Sequence, residues 1–305
     1  MKILVATEKP FASVTVNLMR ELAESSGYEI AFLEKYRGTG ELADALVDAD
    51  ALVVRSDPVT AQILDAARKL RIVVRAGSGY DNIDLNACTA HNVVVMNTPG
   101  QNANAVAELA FLMMLYKARS GFSGKTGTEL RGKTLGLYGF GNVSRFMTLI
   151  ANGFGMKVFA YDPYIDENII SNSGALPVKS QEEMFSKCQY VSLHIPANEQ
   201  TRKLIGYNLL KLMPSKAVLV NTARKEIIDE EALLKIFEER PDFTYLSDVE
   251  PDCKNVFEEK YRGRFIFTEK KMGAQTEESN TNAGVAAIRQ IIDFFKTGND
   301  RFRVN

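Results

Sequence analysis

The sequence predicts an α/β protein with two doubly wound parallel sheets, and three observations predict it. Short β-branched runs alternate with segments of helical spacing along nearly the whole chain. A glycine turn, Gly139-Phe140-Gly141-Asn142-Val143-Ser144, lies near the middle of the chain, where most such turns open one. At 305 residues, the chain is long enough to bury two cores.

Taking the elements in order, residues 3–6, 29–33, 51–55, 71–75 and 93–96 read as strands. Between them, 13–24, 41–48, 60–70 and 84–90 carry helical spacing. This alternation predicts a parallel sheet covered on both faces. Asn97-Thr98-Pro99-Gly100 breaks the pattern, because Pro and Gly disfavour continuing any element there. A long apolar helix over 102–118 follows, and then a Gly/Ser/Thr-rich loop over 120–128.

Residues 135–138 then read as a buried strand leading into the glycine turn. Val143, Phe146, Met147, Ile150 and Phe154 recur at helical spacing after it, and a second strand, 157–161, ends on Asp162. Strand, glycine turn, helix, strand and terminal acid form a dinucleotide-binding unit. Gly139 and Gly141 let the backbone approach a pyrophosphate, and the helix N-terminus meets it with free N–H groups and a positive dipole. Ser144 stands where a third glycine is usual. Asp162, about twenty residues on, is placed for ribose hydroxyls; it repels a 2′-phosphate and no arginine follows it, which favours NAD over NADP.

Alternation resumes with strands at 190–195, 217–221, 244–248 and 264–268. A last helix over 277–296 presents Ala283, Ala287, Ile288, Ile291, Phe294 and Phe295 to a core. This helix is expected to return to the first domain. The expected domains are thus 1–98 with 275–305, and 99–274, with two crossovers and a ligand cleft at the carboxyl ends of the strands.

Composition bounds the function. Apolar content of 46% and charged content of 25% are ordinary for a globular protein, and a net charge of −1 gives no basic face for nucleic acid. No segment reaches the ~18 apolar residues of a membrane span, and MKILVATEKP is too short in apolar run for a signal peptide. Cys88, Cys188 and Cys253 form no Cys-x-x-Cys and read as reduced thiols of a cytoplasmic protein. With only His91 and His194, no metal site is expected.

Eight segments, in order, resemble the D-isomer-specific 2-hydroxyacid dehydrogenases: RAGSGYDNID (75–84), NTPGQN (97–102), VAEL (106–109), GKTLGLYGFG (132–141), YDPY (161–164), SLHIP (192–196), NTARKEIIDEEAL (221–233) and MGAQTEES (272–279). Within the family, the short phosphoglycerate dehydrogenases are the nearest likeness. The resemblance implies a Rossmann NAD-binding domain inserted into a flavodoxin-like substrate domain, and a homodimer built around the 102–118 helix. It also implies that Gly139, Gly141, Asn142, Val143, Asp162, His194, Thr222, Ala223, Asp248 and Gly273 serve the cofactor. His194 reads equally well as a packing residue at a strand end.

Oxidising a 2-hydroxy acid needs a hydride acceptor, a cation for the carboxylate and a group to take the hydroxyl proton. Arg224 matches the family's catalytic arginine, and its guanidinium grips a carboxylate with two parallel bonds. The family's acid/base histidine is replaced by Lys271, and Cys253 occupies the place of its partner glutamate. Glu250-Pro251 is a shifted candidate for that glutamate. A free lysine titrates near ~10.4 and must be lowered to work at neutral pH, which desolvation and a nearby arginine do and a carboxylate opposes. Lys271 is therefore expected to act as acid/base without a glutamate; the alternatives are that it only binds an anionic substrate, or that catalysis has been lost.

Substrate contacts are expected from the turn at Ser78 and Gly79, whose backbone N–H groups suit a carboxylate, from Asn102, and from Arg55 as the cation for a phosphate. Lys9 and Arg75 are weaker candidates, and Gln101 and Ala105 depart from the family pattern. The expected reaction is NAD-dependent oxidation of a phosphorylated 2-hydroxy acid, 3-phosphoglycerate to 3-phosphooxypyruvate, on the route to L-serine. No appended regulatory domain is expected, and so no feedback by serine. The alternatives are a glyoxylate or hydroxypyruvate reductase, and a non-catalytic NAD-sensing protein.

Overall fold

A computed structural model describes residues 1–305. The chain divides into two compact units, Met1–Asn102 with Gln275–Asn305, and Ala103–Ala274. The first boundary falls four residues beyond the expected 98/99, because Pro99–Asn102 continue the first unit up to the start of the long helix.

The first unit holds strands β1 (Lys2–Thr7), β2 (Glu29–Glu34), β3 (Ala51–Val54), β4 (Ile72–Arg75) and β5 (Val94–Asn97). They form one parallel sheet in the order β2-β1-β3-β4-β5, the flavodoxin-like order. Helices α1 (Ser13–Ser25), α2 (Thr39–Leu46), α3 (Ala61–Ala66) and α4 (Leu85–Ala90) connect them. β3 is buried at every position, as a strand covered on both faces requires. The C-terminal helix, numbered α12 below (Glu277–Thr297), belongs to this unit and packs Ala283, Ala287, Ile288 and Ile291 with Met19 and Ala23 of α1. Phe294 and Phe295 reach only the margin of that cluster. Thr276 caps the helix N-terminus and Gly298, at φ 75°, ends it.

The second unit opens with α5 (Ala103–Ala118) and contains β6 (Thr134–Tyr138), α6 (Asn142–Gly153), β7 (Lys157–Tyr161), α7 (Glu167–Asn172), β8 (Leu176–Pro177), α8 (Gln181–Lys187) and β9 (Tyr190–Leu193). It continues with α9 (Tyr207–Leu210), β10 (Val218–Asn221), α10 (Glu230–Glu239), β11 (Thr244–Ser247), α11 (Lys254–Lys260) and β12 (Phe265–Phe267). The sheet order is β12-β11-β10-β9-β6-β7-β8, all parallel. Counted from β6, this is the 3-2-1-4-5-6 dinucleotide-binding order with one strand added. Its reversal lies between β6 and β9, so the loops after those strands flank the place where such sheets take their ligand.

Helices α7, α8 and α10 are absent from the strand-centred sequence reading, yet each starts at a side-chain cap: Asp166, Ser180 and Asp229 accept from amides of the first turn. In α6 the expected stripe is also narrower than its spacing suggests. Of the five apolar residues read as facing inward, only Met147 is fully buried; Phe146 and Phe154 are partly exposed, and Ser144, Thr148 and Ala151 complete the buried face. Small residues lie there because α5 packs closely on α6, with Phe111 stacked on Phe154 at 5.6 Å. No helix is long and apolar enough to cross a membrane.

Candidate active site

The glycine turn joins β6 to α6. Gly139 has φ 86°, a conformation that favours glycine, and a Cβ there would meet the His194 carbonyl oxygen at 2.9 Å. Its amide donates to the Tyr161 carbonyl, and Phe140 N donates to Asp162 Oδ2 at 2.7 Å. Asp162 Oδ1 accepts from Tyr164 N at 2.9 Å, so the carboxylate is oriented by one bond to the turn and one to its own loop. Ser144 is fully buried, and its hydroxyl donates across the turn to the Gly139 carbonyl. The extra hydroxymethyl is thereby absorbed as a brace on the turn.

Helix α6 starts at Gly141 with no side-chain cap, leaving its first amides, Asn142 and Val143 among them, without the usual competitor for an anion. A Cβ on Gly141 would meet nothing within 4 Å, so the turn is open on that side. Thr222 Oγ1 and His194 Nε2 are both buried without a hydrogen-bond partner. Open amides, an oriented acid at the end of β7 and two orphaned polar atoms fit a dinucleotide. Burial pushes the His194 imidazole down to about 3, so it is neutral and no carrier of protons at neutral pH.

At the end of β10 the chain turns through Asn221-Thr222-Ala223-Arg224. The buried Asn221 side chain accepts from Ala223 N at 3.0 Å and donates to the Arg224 carbonyl at 2.9 Å. Arg224 Nη1 donates to the Ala223 carbonyl at 3.0 Å, and Lys271 Nζ donates to that same oxygen at 2.6 Å. The two sequence-predicted catalytic residues are thus brought together on one acceptor. Sequence reasoning missed Asn221, although it opens the quoted NTARKEIID segment.

Asp248, fully buried after β11, holds the loop that carries Lys271. Its Oδ1 accepts from Met272 N at 2.9 Å and Thr268 Oγ1 at 3.0 Å, and its Oδ2 from Gly273 N at 2.8 Å. A Cβ on Gly273 would lie 2.8 Å from Oδ2. The Gly273 amide is therefore committed to Asp248, and any service of Gly273 to a cofactor passes through that carboxylate. Glu250 pairs with Lys254 Nζ at 2.5 Å, and Cys253 is half-buried with its thiol pushed up to about 12 by desolvation and by Glu230.

In the first unit, Ser78 Oγ donates to Asn102 Oδ1 at 2.9 Å, and Asn97 Nδ2 donates to the Ser78 carbonyl, so these predicted residues form one hydrogen-bonded set beside Gly79. The Arg55 guanidinium donates to Asn280 Oδ1 at 2.6 Å and to the Lys9 carbonyl at 3.1 Å, and lies over the Phe11 ring. Its carbonyl accepts from Arg75 Nε at 2.9 Å. No group of three or more acidic, histidine or cysteine side chains suits a metal.

A profile of the D-isomer specific 2-hydroxyacid dehydrogenase NAD binding domain matches residues 110–258. The hydroxypyruvate reductase of Thermotoga maritima is 35% identical over 285 residues, 86% of this chain and 90% of its own. The D-3-phosphoglycerate dehydrogenase of Methanocaldococcus jannaschii is 34% identical over 272 residues, 82% of this chain and 51% of its own, so the chain spans about half the length of that relative. Among solved structures, the NAD+-bound 3-phosphoglycerate dehydrogenase of Entamoeba histolytica is 49% identical, with a TM-score of 0.89 over 100% of this chain and 98% of that one. The apo D-lactate dehydrogenase of Escherichia coli, 23% identical, shares the fold with a TM-score of 0.78 over the full length of both chains. With its two parallel sheets and its glycine turn, the chain belongs to the D-isomer-specific 2-hydroxyacid dehydrogenase family, and its second unit carries that family's NAD-binding domain.

Proposed function

We propose that this protein oxidises 3-phosphoglycerate to 3-phosphooxypyruvate with NAD, the reaction that leads toward L-serine. The observation that carries the mechanism is the meeting of Arg224 and Lys271 on the Ala223 carbonyl oxygen. Bound NAD supplies the hydride acceptor for the substrate's 2-carbon. Arg224 holds the substrate carboxylate and polarises the 2-oxygen, fixing the reacting carbon in orientation. Lys271, as the free amine, takes the hydroxyl proton; in the reverse reaction its ammonium returns it. The Ala223 carbonyl accepts from the ammonium and steadies it once the proton has arrived. On the substrate side we assign Ser78, Gly79 and Asn102 to the carboxylate end and Arg55 to the phosphate, with Asn142, Val143, Asp162, Thr222 and Asp248 serving NAD.

The test is NADH-linked turnover on 2-keto acids with and without a phosphate. A phosphooxypyruvate kcat/KM at least ten times that of hydroxypyruvate supports the proposal. The 35% identity to a hydroxypyruvate reductase over 90% of its length supports a second reading, in which the unphosphorylated acid is preferred. Tight NADH binding with no turnover on any 2-keto acid would overturn both in favour of a sensing role. We further propose a homodimer: α5 and α6, which pack together, expose Leu112, Tyr116 and Leu149, with Phe122 just beyond α5. A sedimenting species of one chain's mass at micromolar concentration would refute it.

A further inference from the structure

We propose that Asn221 is a positioning residue for proton transfer, acting through the Ala223 peptide. Asn221 is 1% exposed and ends β10. Its side-chain oxygen takes the Ala223 amide and its side-chain nitrogen takes the Arg224 carbonyl, so one amide group braces the turn from both sides. The Asn221 main chain is fixed as well: its carbonyl accepts from Asp248 N at 3.0 Å and from Ser247 Oγ at 3.2 Å. The peptides that follow are the ones the side chain holds. Pinning the Ala223 amide sets the plane of the peptide before it, and pinning the Arg224 carbonyl sets the one after it. Between them lies the Ala223–Arg224 peptide, whose carbonyl takes both Arg224 Nη1 and Lys271 Nζ. A small tilt of that carbonyl changes the distance between the carboxylate clamp and the proton acceptor, and such misplacement of about 1 Å costs on the order of 10²-fold in rate. Asparagine is required because the brace needs a donor and an acceptor on one short planar group.

This inference rests on the acid/base role of Lys271, so both are tested together. Turnover of 3-phosphoglycerate and of its 2-deuterated form is measured for wild type, Asn221→Ala, Asn221→Asp and Lys271→Ala. The expected result is a kcat about 10- to 100-fold lower in Asn221→Ala, with an increased deuterium effect on kcat as the chemical step becomes limiting. The isosteric Asn221→Asp keeps the acceptor for Ala223 N and loses the donor, and should show the same sign of change; it serves as the folded comparison if the alanine variant is unstable. A purely structural role would lower the active fraction and the melting temperature but leave the deuterium effect at the wild-type value, which would overturn the inference. Lys271→Ala retaining more than a tenth of turnover would instead defeat the acid/base assignment itself, whatever the Asn221 variants do.

Discussion

The buried carboxylate of Asp248 accepts the Gly273 amide at 2.8 Å, and this bond fixes the loop from which Lys271 reaches the Ala223 carbonyl. Two further donors, Thr268 Oγ1 and Met272 N, complete a cage around the charge. A fully buried carboxylate with such donors is stable only while they stay in place. Asp248 therefore acts first as an anchor between the end of β11 and the second crossover.

Asp248→Asn should loosen that loop. The amide nitrogen faces N–H donors and leaves at least one buried group unpaired, a cost of ~1–3 kcal/mol. We expect a lower melting temperature and a fall in kcat, measured by calorimetry and NADH-linked assay. Gly273→Ala should share both effects, since its Cβ meets Oδ2 at 2.8 Å. Full activity in both variants would refute the anchor.

Replacing Lys271 with Ala should lower kcat by ~10²–10⁴, the range for loss of a general acid/base. Arg224→Lys keeps the charge and loses the paired donors, so kcat/KM should fall although the net charge is unchanged. Steady-state kinetics on the purified variants decides this; a conservative outcome for Arg224→Lys would mean that a point charge suffices.

His194 gives a prediction about pH and stability. Its folded pKa is pushed down to about 3, below an unfolded value near ~6.5. Between these values the unfolded chain binds a proton that the folded chain does not. The stability this residue contributes is thus present above pH ~6.5 and drains as pH falls toward 3, at up to ~1.4 kcal/mol per pH unit. Urea titrations between pH 4 and 7 should show a shallower acid loss in His194→Gln than in wild type. Parallel slopes would show that the imidazole titrates normally.

Ser144→Ala removes the hydroxyl that braces the Gly139 carbonyl. We expect a loss of about 1 kcal/mol in stability and a weaker NADH affinity, read by fluorescence titration, because the turn that presents the α6 amides relaxes. Unchanged affinity would separate the brace from cofactor binding.

Much of this architecture was legible in the sequence for a physical reason. Alternating strand and helix periods are local properties, so the two sheets, the 142–153 helix and the acid at Asp162 follow from neighbours along the chain. The capped helices α7 and α8 escaped because they are short, although their Asp166 and Ser180 caps were visible. Helix α10 buries Ala232, Leu233, Ile236 and Phe237 at helical spacing behind its Asp229 cap, so both its period and its start were legible.

The sequence by itself determined the strand and helix content, the mid-chain cofactor turn, the family segments in order, and the presence of Lys271 at the second crossover. Only the tertiary structure decided which polar atoms meet. It placed Arg224 and Lys271 on one carbonyl, gave Glu250 to Lys254, turned Ser144 onto Gly139, engaged Arg55 with Asn280, and put Asn221 behind the turn through Thr222, Ala223 and Arg224. Hydrophobic period is written residue by residue, whereas a hydrogen-bond partner is chosen by strand register and loop geometry, which bring distant segments to within 3 Å of one another.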